Sequence, residues 1–270
     1  MLFNNIIVIS LLATIINGQC PVNWWPLSTS NSYLNDVIKG KNINSINQVS
    51  TGGDRVLSSN NDAIYIRGRN VAAATAAAYT SFLSLPTDTY FCGNAFTISF
   101  WINTAQTTSV TAGKIARVID FSDAITKVNG FAVYLRPGTI ALNAAVGLEI
   151  KVGSSSAQTV SDSGVGFAPK TWTHVAISFS VSVSTISITI YYNGAAQITT
   201  GTISTLPASC PTMTTNFIGK GASPTVNDIN LDAFLNDVKI FNSSLNASQV
   251  LNQYAAERCN FLIINDYLFL

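Results

Sequence analysis

Charged residues are scarce in this sequence: 14 lysines and arginines and 13 aspartates and glutamates make up 10% of 270 positions, for a formal net charge of +1. No basic run occurs, so attraction to nucleic acid or to an anionic membrane has no visible source. Histidine occurs once, as His174, and glutamate twice, as Glu149 and Glu257. Acid–base catalysis near neutral pH would therefore have to pass through His174. With no second histidine, a zinc site of ordinary composition lacks ligands. The four cysteines show no C-x-x-C spacing, which removes redox and zinc-ribbon readings. No G-x-S-x-G nucleophile elbow is present. The apolar runs 6–16 and 260–270 are both too short to span a bilayer.

Ser, Thr, Asn, Gly and Ala are abundant, as on the surface of a β-rich extracellular protein. Residues 1–18 read as a secretory signal peptide: 6–16 has the length of an h-region and Gly18 is a small residue before a cut near Gln19. A buried strand or an uncleaved anchor is the alternative. Cleavage leaves an even number of cysteines in an oxidising compartment, Cys20, Cys92, Cys210 and Cys259, for which three pairings exist. The expected location is secreted and extracellular.

The length suits one large sandwich with a sizeable core. Val175, Ile177, Phe179 and Val181 alternate with His174, Ala176, Ser178 and Ser180, the period of a strand with one buried face. Ile186, Ile188, Ile190 and Tyr192 repeat the pattern. Asn193-Gly194 then supplies two residues that tolerate positive φ, as a type I′ turn demands. Further strands are expected at 63–66, 116–121, 131–135, 139–143 and 147–152, with Pro137-Gly138 as a turn. Residues 28–63 read as a long irregular excursion, and the alanine-rich 72–78 as loop with at most one helical turn. Strands at this spacing indicate a sandwich rather than a βαβ fold. One helix is expected, with Asn246 and Gln249 as its capping pair. Val250, Leu251, Tyr254 and Ala255 on one face would lie against the sheet edge. Asn242 and Asn246 both head N-glycosylation sequons.

The same residues carry a resemblance. Trp172 to Ala176 matches a W-x-H-V-A strand, Tyr191 to Gly194 a Y-x-N-G close, and Phe217-Ile218-Gly219 a short I-G strand. Asn236-Asp237-Val238-Lys239-Ile240-Phe241-Asn242 with Leu245 looks like a D-D-V-x-I-Y-N-x-x-L strand leading into a helix. Phe96 to Ile102 is similar to F-T-I-S-x-W-V, and Trp25-Pro26-Leu27 to an opening W-x-L. In this order, from Cys20 to Arg258, they resemble the laminin-G-like group of concanavalin-A-like jelly rolls. Asn236 and Ala233 depart from it, where an acid and a glycine are common. The resemblance implies an all-β fold, an antiparallel two-sheet β-sandwich with one short C-terminal helix, over residues 19–259, followed by a short tail at 260–270. Because first and last strands are neighbours in such a fold, it also favours Cys20–Cys259 and Cys92–Cys210 disulfides, each closing a long loop worth roughly 4 kcal/mol in the chain-entropy model.

Some jelly-roll relatives are glycoside hydrolases, but their E-x-D-x-x-E strand is absent, and no catalytic residues are assigned. His174 reads as a strand histidine hydrogen-bonded within the sheet. No resident cofactor is expected beyond calcium, for which Asp120, Asp123, Asp228 and Asp232 are candidate oxygen ligands on loops; ordinary loop acids are the alternative. Of Trp24 and Trp25, adjacent on a strand, one points inward. The other is a sugar-stacking platform or packs under the closing helix. The expected function is a secreted, non-enzymatic recognition module for an extracellular glycan or glycoprotein. A structural or adhesive protein acting through protein contacts is the second reading, and a hydrolase the third.

Overall fold

The computed structural model describes residues 20–27, 35–48, 56–59, 63–66, 81–90, 95–104, 114–124, 129–140, 143–153, 155–182, 185–204, 210–222, 228–229 and 231–266. Two sheets make the sandwich. The first contains β1 (Asn23–Trp25), β3 (Val56–Ser59), β4 (Ala63–Ile66), β6 (Ala95–Thr104), β11 (Thr173–Ser182), β12 (Thr185–Tyr192), β13 (Ala195–Ala196) and β17 (Ala233–Phe241). Its order is β13-β12-β11-β6-β17-β4-β3, with β1 also paired to β17. The second contains β2 (Ser45–Gln48), β5 (Ser81–Leu85), β7 (Ile115–Ser122), β8 (Gly130–Pro137), β9 (Ala144–Lys151), β10 (Gln158–Asp162), β14 (Thr199–Gly201), β15 (Thr215–Ile218) and β16 (Asp228–Ile229). Its order is β14-β10-β9-β8-β7-β15-β5-β2, and all pairings are antiparallel except β16 on β7. Among the described residues there is one helix, α1 (Ala247–Asp266), which follows β17.

The period-2 pattern decides which face is buried. Val175, Ile177 and Phe179 of β11 and Phe96, Ile98, Phe100 and Ile102 of β6 meet Phe131, Val133, Val146, Leu148 and Ile150 from the second sheet in one core. The Phe96 ring lies 4.9 Å from Phe179 in its own sheet and 5.6 Å from Phe131 across the core, so it ties the layers together. Each such side chain contributes about 1.5–3 kcal/mol through burial. Asn193 and Gly194 adopt φ of 51° and 82°, closing β12 onto β13 as a tight turn requires.

Several expectations are corrected. Residues 139–140 and 143 are not in a strand, and 141–142 lie outside the described residues; Gly138 N–H donates to the Asn143 carbonyl at 2.8 Å between β8 and β9. The excursion at 28–63 supplies edge strands, β2 on β5 and β3 on β4, because backbone pairing needs no apolar pattern. The alanine-rich 72–78 and the signal segment 1–18 lie outside the described residues. Asn246 and Gln249 do cap the helix reciprocally, with Gln249 N–H on Asn246 Oδ1 at 3.0 Å and Asn246 N–H on Gln249 Oε1 at 2.9 Å. Both sequon asparagines, Asn242 and Asn246, are exposed. The helix, however, lies across the outer face of the first sheet. Val250, Gln253 and Glu257 are buried beneath it, while Leu251 stays 50% exposed. It also continues through Asp266, over part of the expected tail.

Cys20 is a free, exposed thiol, so the Cys20–Cys259 bond is not formed. The register explains this. β1 pairs Asn23 with Ile240, which carries Cys20 toward the Phe241 end of β17, whereas α1 runs the other way from there. Cys210 is disulfide-bonded, and its expected partner Cys92 lies outside the described residues.

Candidate functional site

The outer face of the second sheet gathers the residues best placed for recognition. A β-bulge lies between Arg117 and Ile119 of β7. Strict alternation would put Arg117 and Ile119 on one face; the extra residue lets Ala116, Val118, Ile119 and Phe121 all join the core and leaves Arg117 and Asp120 outside it. Arg117 pairs in register with Tyr134 of β8, and Asp120 with Ala132, whose other neighbour is Glu149 of β9. Arg117 Nη2 donates to Glu149 Oε2 at 3.1 Å and Nε to Asp228 Oδ1 at 3.2 Å. Its guanidinium stands 5.6 Å from the Tyr134 ring centroid.

Tyr134 is fitted over a glycine. A Cβ on Gly147 would lie 2.3 Å from Tyr134 Cζ, so only glycine on β9 lets the ring lie across that strand. Burial raises the Tyr134 pKa, with Glu149 adding to the shift. Burial also works against the charged Arg117, but Glu149, Asp120 and Asp228 outweigh it and hold the guanidinium above its ordinary range. Arg117 is only 5% exposed, and its Nη1 has no hydrogen-bond partner. Toward the β10 side the face opens: Glu149 and Ser161 are half-buried and Thr159 is exposed.

The outer face of the first sheet is different. Lys239 Nζ donates to Glu257 Oε1 at 2.6 Å. Trp101 Nε1 donates to Glu257 Oε2 at 2.8 Å, and Gln253 Nε2 to Glu257 Oε1 at 3.0 Å. Burial pushes the Glu257 carboxyl up, but Lys239, His174 and these hydrogen bonds prevail and hold it low. Burial raises Asp237, which accepts from Trp24 Nε1 at 2.7 Å. A bulge with Asp237 at φ 49° turns that carboxylate toward Trp24.

His174 shares this face and is wholly buried, with burial lowering its pKa to about 4. The expected hydrogen bond within the sheet is made by its backbone, whose N–H donates to Asn193 Oδ1 at 2.9 Å. Neither ring nitrogen is hydrogen-bonded. The ring packs 5.4 Å from Trp101 and 6.1 Å from Tyr254, with Nε2 3.8 Å from Glu257.

The remaining candidates scatter. Trp25 is a core residue with 0% exposure, and Trp24 packs outward against Lys239, whose Nζ lies 4.6 Å from the indole centroid. Packing, not a sugar platform, is therefore the role of this pair. The four candidate calcium ligands separate: Asp120 and Asp228 surround Arg117, Asp123 accepts from Asn129, and Asp232 accepts from the Tyr65 hydroxyl. Among the described residues no three acid, histidine or cysteine side chains form a set that could hold a metal ion. Glu149 and Glu257 stand on opposite outer faces and cannot act as one catalytic pair. Sequence reasoning missed Arg117, Tyr134 and Gly147. The available signal was an arginine in one apolar strand and a glutamate in another, but the bulge hid their shared face.

The family model for the concanavalin A-like lectin/glucanases superfamily, of the laminin G type, matches residues 77–251. The chain belongs to this superfamily. The matched span runs from just before β5 into α1, so it contains Arg117, Tyr134, Glu149 and Asp228. Solved structures of other superfamily-like sandwiches share the fold at low identity. Domain 4 of AbnA, a GH43 extracellular arabinanase from Geobacillus stearothermophilus in complex with arabinotriose, superposes with a TM-score of 0.57 at 17% identity, covering 87% of this chain and 98% of that one. The botulinum neurotoxin type G receptor-binding domain gives 0.56 at 15% identity, covering 88% of this chain. The binding domain of botulinum neurotoxin DC in complex with SialylT gives 0.56 at 15%, covering 89% of this chain. This chain spans 51% and 52% of those two neurotoxin chains. No curated protein matches the sequence. Among the described residues no helix is long and apolar enough to cross a membrane.

Proposed function

We propose that this chain is a secreted, non-enzymatic module that binds a glycan, free or carried on a glycoprotein, across the outer face of the second sheet. One observation carries the reading: a buried arginine there keeps a donor nitrogen unpartnered, held between carboxylates and beside an aromatic ring, at the edge of an open strand face. Sugars offer what such a set needs, hydroxyls that accept from a guanidinium and donate to carboxylates, and apolar faces that rest on a ring. The arabinotriose complex of the similar AbnA domain supports the same ligand class. Hydrolysis requires one of two carboxyl groups to hold a proton, whereas a guanidinium beside them favours the charged form. That supports binding without turnover.

The test is retention of the secreted, disulfide-intact chain on an oligosaccharide array, read together with thermal unfolding in the same sugars. A ligand at a hundred times its dissociation constant should stabilise the fold by about 2.7 kcal/mol. Absence of both retention and a thermal shift across the array would overturn the glycan reading.

A further inference from the structure

We propose that Asn246 carries an N-linked oligosaccharide, covalently the chain's own, while the same side chain caps α1. The inference goes beyond sugar binding on the second sheet and takes from that reading only the secretory route.

Capping and glycosylation call on different atoms of one amide. Asn246 Oδ1 accepts from Gln249 N–H at 3.0 Å and from the Ser248 hydroxyl at 2.7 Å, which occupies both lone pairs of that oxygen. Gln249 Oε1 in turn accepts from the Asn246 main-chain N–H at 2.9 Å. None of these bonds uses Nδ2, and among the described residues that nitrogen has no protein partner. Asn246, Ala247 and Ser248 are all exposed, so the whole acceptor sequence faces solvent. Asn242 heads the neighbouring sequon and is exposed too, but its Ser244 is half-buried, with the hydroxyl 2.7 Å from Ser178 Oγ. Transfer to the extended chain needs only the sequon. The folded chain must then leave room for the product, and it does so most fully at Asn246.

In the transfer, Nδ2 bonds to the anomeric carbon of an oligosaccharide carried on a polyprenyl diphosphate. The bond from that carbon to the diphosphate oxygen breaks, polyprenyl diphosphate leaves, and the nitrogen gives up one proton. The product amide keeps one N–H and an unchanged Oδ1, so the cap survives modification. The preceding residue fixes where the oligosaccharide stands. Leu245 is buried, its N–H donating to Thr97 Oγ1 at 2.9 Å and its carbonyl accepting from Ser178 Oγ at 2.7 Å. Thr97 and Ser178 pair across β6 and β11 on the outer face of the first sheet. An oligosaccharide on Asn246 therefore leaves the protein on that side, and Arg117 stands on the other sheet.

The test uses the full chain, recovered from the medium of a eukaryotic secretory host and mapped by peptide mass after peptide N-glycosidase treatment in heavy-oxygen water. That enzyme hydrolyses a glycosylated asparagine to an isotopically heavy aspartate, itself a good helix cap. The expected result is the heavy label at position 246. Asn246→Asp and Ser248→Ala should each lose one oligosaccharide from the intact mass, and thermal unfolding confirms that both are folded. Hydrogen exchange at the Gln249 amide should be as slow in the glycosylated chain as in Asn246→Asp, and about fivefold faster in Asn246→Ala, which has no acceptor. An unlabelled Asn246 in the secreted chain, or a label at Asn242 alone, would overturn the assignment. Faster exchange at Gln249 in the glycosylated chain than in Asn246→Asp would overturn the coexistence of oligosaccharide and cap. Retention of the chain inside the cell would overturn the secretory route and this inference with it. Failure to bind any sugar on the array would overturn only the function proposed for the second sheet.

Discussion

Each outer face of the sandwich carries a buried cation among carboxylates, and the two are finished differently. Beneath α1, Lys239 and Glu257 close on each other at 2.6 Å, and both oxygens of Glu257 collect further donors from Trp101 and Gln253. On the second sheet, Arg117 holds Glu149 and Asp228 yet keeps Nη1 unpartnered. The first cluster is a clasp for a helix that has to lie on a polar strand face, with Thr97, Ser99 and Ser178 below it. Apolar packing there is limited to a small group around Ala176, Tyr191, Phe241, Leu245 and Val250. Among the described residues no helix covers the second, and Arg117 Nη1 has no hydrogen-bond partner. Unpartnered buried atoms occur on both faces, the His174 ring nitrogens and Gln253 Oε1 under α1 and Arg117 Nη1 on the second sheet, so the covering helix rather than complete pairing separates the two.

The comparison breaks most readily at the clasp. Lys239→Met should strip Glu257 of its partner inside the fold and destabilise the protein by about 3–5 kcal/mol in denaturant unfolding, whereas pairing it with Glu257→Met should restore much of the loss. A single-variant loss below about 1 kcal/mol would show that the clasp does not hold α1. Sugar binding at the opposite face should be unchanged in the folded double variant.

Acid sharpens the same face. His174 has a folded pKa of about 4 against an ordinary value of 6.5, so between these pH values the unfolded chain binds a proton that the folded one refuses. Its contribution is complete above pH 6.5 and is lost as pH falls toward 4, by about 3 kcal/mol. Glu257, held low, adds its loss only below the ordinary carboxylate range. Stability measured from pH 7.5 to 4.5 should fall in the wild type and lose most of that slope in His174→Leu; parallel slopes would refute the assignment.

On the second sheet a smaller change tests the other half of the comparison. Gly147→Ala places a methyl group against the Tyr134 ring and should cost about 1–3 kcal/mol by overpacking. If this face is the site, oligosaccharide binding should fall further than stability explains, because Tyr134 leaves its place beside Arg117. The smallest effect is at the helix cap: Asn246→Ala should cost about 1 kcal/mol and leave sugar binding alone. Weakened binding in that variant would mean the two faces are coupled through the core.

Much of the architecture was legible in the residues. The alternation along 173–182 and 185–192, the Asn193-Gly194 turn and the Asn246–Gln249 cap all stand as expected, because each depends on local periodicity or on one residue's backbone freedom. The edge strands β2 and β3 were not legible, since an edge pairs through backbone groups that every residue carries. The strand expected at 139–143 is not formed at 139–140 or 143, where Gly138 N–H reaches the Asn143 carbonyl instead. Hydrophobic spacing on α1 suggested Val250, Leu251, Tyr254 and Ala255 as its buried face; Val250 is buried and Tyr254 half-buried, but Leu251 and Ala255 are exposed, and the polar sheet beneath takes Gln253 and Glu257 as well.

By itself, then, the sequence determined which residues alternate, where the chain turns, how the helix begins and that the carboxylate and histidine supply is small. Tertiary structure alone decided which charges meet. Arg117, Glu149 and Asp228 come from three strands separated by 32 and 111 positions, and one extra residue in β7 sets the face on which the arginine stands. Periodicity describes neighbours along a strand; a charge cluster is a fact about neighbours across strands, fixed only when register and bulges are.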